Sequence, residues 1–219
     1  MIRNGRRAAV GAAVEAFDVA GGRVQTVRTS RGRFSAESLC ITSGAWSAGL
    51  VERLGVQIAV RPIRGQIALL NCLRPVLRRV INDGPRYLVP RPDGRVLVGS
   101  TEEDVGFDKR TTTEAIHGLL QFALGLAPAL GESQLERVWA GLRPGNADGL
   151  PYLGRVPGLE RVYVAAGHFR SGLHLSPATA MVMSQLIRGE TPEIDLQPFR
   201  VDRDRVSGIG NRKSVVGDR

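Results

Sequence analysis

Arg161-Val162-Tyr163-Val164-Ala165-Ala166-Gly167 is followed by His168-Phe169-Arg170-Ser171-Gly172-Leu173-His174, and then by an apolar-periodic stretch to about Ile187 that stops at Gly189. The six residues after Arg161 are β-branched, aromatic or small and end on glycine, so they read as a buried strand. Ser176-Pro177 falls in the first turns of a helix, and Gly189 supplies its stop. A strand that delivers a glycine turn to a helix start leaves several backbone N–H groups unpaired. The helix dipole makes that place favourable for a negatively charged ligand atom. A plain strand-to-helix connection has the same local pattern. The bulky, polar His-Phe-Arg-Ser between the two elements shifts the reading only modestly toward a ligand.

Upstream, Trp139-Ala140-Gly141-Leu142-Arg143-Pro144-Gly145 precedes Asp148-Gly149-Leu150-Pro151-Tyr152-Leu153-Gly154. Arg143, between Leu and Pro at a glycine-dense strand end, can aim a guanidinium fork at a carboxylate. A surface arginine on a loop is the competing reading. The first third of the chain reads as a β-meander. Its first strand is expected over Ala12–Val19 and its turns at Ala20-Gly21-Gly22 and Ser30-Arg31-Gly32, with Phe34 opening a third strand. Ser38 to Ser47 reads as an apolar strand with a small-residue turn, followed by a helical Ala48–Leu54. Ile58–Leu70 reads as extended. Tyr87–Pro90 and Arg95–Thr101 flank Arg91-Pro92-Asp93-Gly94, a hairpin turn. Thr111 and Glu114 form a capping box for a helix whose apolar face is Ile116, Leu119, Leu120, Ala123 and Leu124. Gly125 and Pro128 close it, and His117 falls on its surface. The polar, aperiodic tail from 201 to 219 is expected to be disordered.

Composition narrows the function classes. The 219 residues are 42% hydrophobic and 23% charged, as expected for a globular chain of one or two domains. No run approaches the roughly 18 apolar residues that span a bilayer, and the short basic-then-apolar start lacks a signal-peptide cleavage site. A cytoplasmic location is the expectation. The net charge is +9, and lysine occurs only at Lys109 and Lys213, leaving 28 arginines. These are scattered, and with 5% aromatics they lack the basic–aromatic interleaving of single-strand binders, so no nucleic-acid partner is expected. Cys40 and Cys72 make neither a disulfide framework nor a zinc site. H-E-x-x-H, C-x-x-C, G-x-S-x-G and Walker sequences are absent, and Gly208-Ile209-Gly210 lacks the third glycine of a dinucleotide fingerprint.

Seven stretches, in order, resemble the D-amino-acid-oxidase family of FAD enzymes, and within it the glycine oxidase branch of thiamin biosynthesis. They are Gly22-Arg23-Val24 with Val27-Arg28-Thr29; Ile41 to Ser47; Val60-Arg61-Pro62-Ile63-Arg64-Gly65-Gln66; Tyr87 to Arg91; Val98-Gly99-Ser100-Thr101-Glu102; Trp139 to Pro144; and Ala165 to Gly172. The resemblance covers about Val10 to Asp202. It implies a mixed α+β and α/β fold, the C-terminal part of such a flavoprotein. A partial FAD-binding domain is expected over 1–49 and again over 138–200, with an antiparallel-sheet substrate domain inserted at 50–137.

The resemblance also implies roles. His168, Phe169, Arg170, Ser171, Gly172, Leu173 and His174 would border the isoalloxazine ring, with helix-start amides stabilising charge on the reduced flavin. Gly44 and Trp46 would lie on the FAD side, and Val14 would contact the adenine side through its backbone. Arg143 would bind the substrate carboxylate, Tyr87 would help enclose the substrate, and Arg170 would line the site. The implied reaction is hydride transfer from the Cα of a small amino acid to flavin N5, with oxygen reoxidising the flavin to give hydrogen peroxide. Orientation then matters more than an acid or base side chain, and no catalytic acid or base is expected. Relatives with covalent flavin carry a cysteine where Gly141–Tyr152 has none, so FAD is expected to be non-covalent. Glu102 falls where a family member places an apolar residue near the substrate.

The family begins with a G-x-G-x-x-G unit, which this sequence lacks. An N-terminally truncated chain is therefore expected. The alternatives are a D-amino-acid dehydrogenase, a sarcosine oxidase-like enzyme, or a non-catalytic fragment. Homo-oligomerisation stays open.

Overall fold

The computed structural model describes residues 2–3 and 6–203. The chain divides into two compact units, Met1–Val60 with Pro144–Arg219, and Arg61–Arg143. The second unit begins and ends later than the expected 50–137. Val51, Val56, Ile58 and Val60 are buried in the core of the first unit, and one strand runs unbroken through position 137.

In the first unit, β1 (Ile2–Arg3) pairs with β2 (Arg6–Arg7). β3 (Val14–Ala20), β4 (Arg23–Thr29) and β5 (Gly32–Phe34) form the expected meander. Gly21 and Gly22 both take positive φ at its first turn, the conformation a two-residue hairpin loop requires. Phe34 ends the third strand instead of opening it. β6 is short, Leu39–Ile41, and the expected strand to Ser47 gives way to a 3-10 turn at Gly44–Trp46 and helix α1 at Ser47–Glu52. Gly44 turns the chain with φ 57°.

The second unit is a five-stranded sheet in the order β11-β7-β10-β9-β8. Its strands are β7 (Arg61–Asn71), β8 (Ile81–Asp83), β9 (Arg86–Pro90), β10 (Arg95–Gly99) and β11 (Gln134–Gly145). The β9–β10 hairpin forms where its turn residues place it, with Val96 opposite Pro90 and Gly99 opposite Tyr87. Alternation along the strands gives each face its own character. Ala68 and Leu70 of β7, Leu88 of β9, and Val96 and Val98 of β10 are buried against Leu119 and Ala123 of helix α2, Thr113–Leu126. The N-cap of α2 is Thr112, one residue after the expected Thr111. The Thr112 hydroxyl accepts from the Ala115 amide at 3.4 Å, and the Thr112 amide donates to the buried Gln66 side chain at 2.8 Å. Leu124, expected on the apolar face, is 40% exposed.

The chain then returns to the first unit through β12 (Tyr152–Arg155), β13 (Val162–Ala166) and α3 (Gly172–Arg188). β13 is wholly buried, as its composition requires. It pairs antiparallel with β12 and parallel with β6, matching Val162 to Leu39 and Val164 to Ile41. Helix α3 packs Val182 and Met183 on Leu153, Tyr163 and Ala165 and ends at Gly189 with φ 78°. The tail does not begin at 201. Val201 is buried in the core, and the Arg203 guanidinium stacks 3.6 Å from the Tyr152 ring while pairing with Asp148 at 2.7 Å. The rest of the expected disordered segment, 204–219, lies outside the described residues.

Candidate active-site elements

Because β6 and β13 run parallel, their carboxyl ends emerge on the same side, where ligands of open α/β sheets are received. The end of β6 leads to Gly44 and Trp46, and the end of β13 leads to Gly167 and His168. The two segments assigned to the flavin side are thus brought to one end of one sheet. Gly167 takes φ 80°, and a Cβ there would lie 3.0 Å from Asn146 Nδ2 and 3.2 Å from the Tyr152 ring. Asn146 straps this turn by donating to the carbonyls of Leu150 and Gly167, and its buried Oδ1 has no hydrogen-bond partner among the described residues. Phe169 also takes positive φ, 48°, and its amide donates to the Pro144 carbonyl at 3.0 Å.

Helix α3 starts open. Ser171 at the N-cap makes no side-chain cap, and the first turn holds no acidic residue. The amides of Gly172, Leu173 and His174 make no backbone hydrogen bond to the residues before the helix. Leu173 beside them is 85% exposed, and Trp46 is 52% exposed. Unpaired donors next to exposed apolar surface suit a flat ligand that is partly apolar and anionic, so these residues fit the isoalloxazine end of FAD. His168 Nε2 lies 3.0 Å from Thr179 Oγ1, and burial holds the imidazole pKa below its ordinary value. A cavity of about 280 Å³ runs from Cys40 and Thr42 past His168 and Gly172 to Met183. Arg170 is exposed in the turn between β13 and α3. Val14 opens β3, where its carbonyl accepts from the Arg53 guanidinium at 3.5 Å.

In the second unit, Tyr87 and Arg143 share the face of the sheet turned away from α2. Tyr87 stands opposite Gly99, which stands opposite Ile67, and Gly65 has the same parity two residues earlier on β7. A Cβ on Gly99 would meet the Tyr87 ring at 2.4 Å, and one on Gly65 would meet the Arg143 guanidinium at 2.0 Å. Ring and guanidinium therefore lie down on bare backbone, which only glycine permits. Arg143 donates to the Thr101 carbonyl at 3.2 Å and to the Ser100 hydroxyl. Both acceptors are neutral, and among the described residues no carboxylate pairs with Arg143. Its half-buried positive charge is left for an anion. The bidentate fork of arginine suits a carboxylate.

The neighbouring Arg64 is the opposite case. It is 5% exposed and tied to Glu103 and to Asp108, the latter at 3.2 Å. Burial would raise the Glu103 pKa, but hydrogen bonds from Thr101, Arg64 and Gln66 overcome this and hold it below the ordinary carboxylate range. Gly65, Gly99, Ser100 and Thr101 escaped assignment as site residues from the sequence. A lone glycine inside a strand pattern, which signals close approach by another group, marks the first two.

The described features are a helix start without a side-chain cap in one unit and, in the antiparallel-sheet unit, an arginine held by a carbonyl and a hydroxyl. A family model described as FAD-dependent oxidoreductase (DAO) matches residues 1–186, and the chain belongs to that family. It is 42% identical over 179 residues to a glycine oxidase of Pseudomonas aeruginosa, covering 82% of this chain and 49% of that protein. It is 37% identical over 182 residues to a Synechocystis protein named bifunctional protein ThiO/ThiG, covering 81% of this chain and 27% of that one. The crystal structure of glycine oxidase from Geobacillus kaustophilus superposes with a TM-score of 0.83 at 34% identity, over 88% of this chain and 52% of that chain. The chain spans about half the length of the glycine oxidases it matches.

Proposed function

We propose that the chain carries the substrate-binding sheet and the flavin-facing strand–helix of an FAD-dependent oxidase of small amino acids, with glycine as the leading substrate. The observation that carries this reading is Arg143, laid on Gly65 and held by neutral acceptors alone. Arg143 binds the substrate carboxylate in a charge-assisted pair. The Tyr87 ring, flat on Gly99, encloses the substrate from the same face. In this reading the unit Arg61–Arg143 is the substrate domain and the other unit is part of the FAD domain.

FAD, held without a covalent bond, supplies the two-electron oxidant. The residues that would hold it are Gly44, Trp46 and the turn from His168 to His174, with Val14 on the adenine side. The open amides of α3 lower the cost of negative charge beside them. His168, which burial holds toward its neutral form, adds no charge of its own beside this turn. Arg170 lines the site. A place in thiamin biosynthesis and a cytoplasmic location belong to the same reading; among the described residues no helix is long and apolar enough to cross a membrane.

The test is to supply purified protein with FAD and glycine and to follow flavin absorbance, oxygen uptake and peroxide. Bound flavin with glycine-dependent peroxide is the expected result. Turnover with a dye acceptor but none with oxygen would move the reading to a dehydrogenase. A folded protein that takes up no flavin would overturn it.

A further inference from the structure

The chain that holds Arg143 in place continues through the sheet to the face packed against α2. Beyond Gly99 the backbone stays beside β7. The Arg64 amide donates to the Glu103 carbonyl at 2.8 Å, and the Glu103 amide donates to the Arg64 carbonyl at 3.0 Å. Between them, the Thr101 hydroxyl accepts from the Gln66 amide at 2.9 Å and donates to the Glu103 carboxylate. That carboxylate also accepts from Arg64 Nε at 2.9 Å and from Gln66 Nε2 at 2.9 Å. Gln66 is fully buried and reaches the N-cap of α2. Arg64 and Gln66 have the strand parity of Ala68 and Leu70, so the carboxylate sits on the helix side, whereas Arg143 lies over Gly65 on the other.

The charges in this cluster balance. Arg64 and Arg110 offset Glu103 and Asp108, with Arg110 at 2.8 Å from Asp108. The cluster therefore adds little net field at Arg143, while its hydrogen bonds fix Thr101, whose carbonyl accepts from the guanidinium.

We propose that Glu103 is a positioning residue for the substrate carboxylate, fixing Thr101 from the opposite face of the sheet and thereby aiming Arg143. The inference rests on the reading of Arg143 as the carboxylate receptor. Glu103 does not touch substrate; it acts through the Thr101 hydroxyl. The hydroxyl is the decisive atom, because it ties the acceptor segment to the buried carboxylate.

The experiment titrates the full chain with acetate, and with acetamide as the neutral control, while following the Arg143 side-chain Nε–H resonance by NMR. In the wild type, acetate alone is expected to give a saturable shift. Thr101→Val keeps the Arg64–Glu103 pair and removes the hydroxyl with both of its hydrogen bonds, to the Glu103 carboxylate and from the Gln66 amide, and Glu103→Gln removes the charge. Each is expected to weaken acetate binding about tenfold, the loss of roughly one charge-assisted hydrogen bond's ordering effect. Thr101→Ser restores the hydroxyl and is expected to bind like the wild type, a rescue that a purely packing role for Thr101 would not give. If Glu103→Gln does not fold, the valine and serine pair decides. Wild-type affinity in Thr101→Val, or equal weakening in the valine and serine variants, overturns the positioning role and leaves the carboxylate receptor standing. A wild-type Arg143 that does not respond to acetate overturns the receptor, and the positioning role with it.

Discussion

Arg64 and Arg143 lie on neighbouring strands of one sheet, and the groups around each decide what it can bind. Arg64 is buried between two carboxylates, which balance its charge. Among the described residues Arg143 donates to a carbonyl and a hydroxyl and pairs with no carboxylate, so in the proposed reading its charge is compensated when an anion arrives. Replacing it by methionine keeps the stem and removes the fork. Since charge-assisted hydrogen bonds contribute roughly 1.5–3 kcal/mol each, KM for glycine should rise about 100-fold or more, while the melting temperature stays near that of the wild type. Steady-state kinetics beside a thermal melt checks both halves. At His168 the prediction concerns pH. Burial holds its folded pKa below the ordinary 6.5, so the unfolded chain takes up the proton first as pH falls. Stability contributed by the neutral ring is intact above about pH 6.5 and declines from there toward the lower folded pKa. His168→Gln should flatten this part of the pH dependence in melts taken from pH 7.5 to 5. An unchanged slope would show that His168 does not supply it.

Strands supply the floors on which these side chains rest. Gly65→Ala adds a methyl 2.0 Å from the Arg143 guanidinium and, through displacement, should reproduce much of the KM defect of Arg143→Met without touching the arginine itself. Gly167→Ala acts on the other unit. Its φ of 80° and its contact with Asn146 leave no relaxed place for a Cβ, and the cost should be about 1–3 kcal/mol, read as a lowered melting temperature. Elements with strong local signals were legible in the sequence: the β9–β10 hairpin from its Pro-Asp-Gly turn, α2 from its periodicity, and β13–α3 from a buried run ending in glycine. Where a distant partner decides, local signals fail. The N-cap moved from Thr111 to Thr112 because Gln66, 46 residues away, receives the Thr112 amide. The apolar stretch to Ser47 ended as strand at Ile41, because β13 pairs with β6 only from Leu39 to Ile41 before Gly44 turns the chain.

Over the whole molecule, the ordered series of motifs made the family legible, and the match over residues 1–186 bears it out. Legibility was uneven within the candidate site. Arg143 and Tyr87 were readable as types in place, but the reason Arg143 differs from the other arginines is a set of neighbours brought in from positions 65, 100 and 101. The Arg64–Glu103 pair, 39 residues apart, carries no local signal at all. Unit boundaries were displaced for a similar reason, since the residues up to Val60 are claimed by a core whose other half lies beyond residue 150. The most direct test of the central claim is the glycine concentration dependence of peroxide formation in FAD-supplied wild type and Arg143→Met. A KM raised about 100-fold or more in the variant, with flavin uptake unchanged, is the predicted result. An unaltered KM would contradict the account.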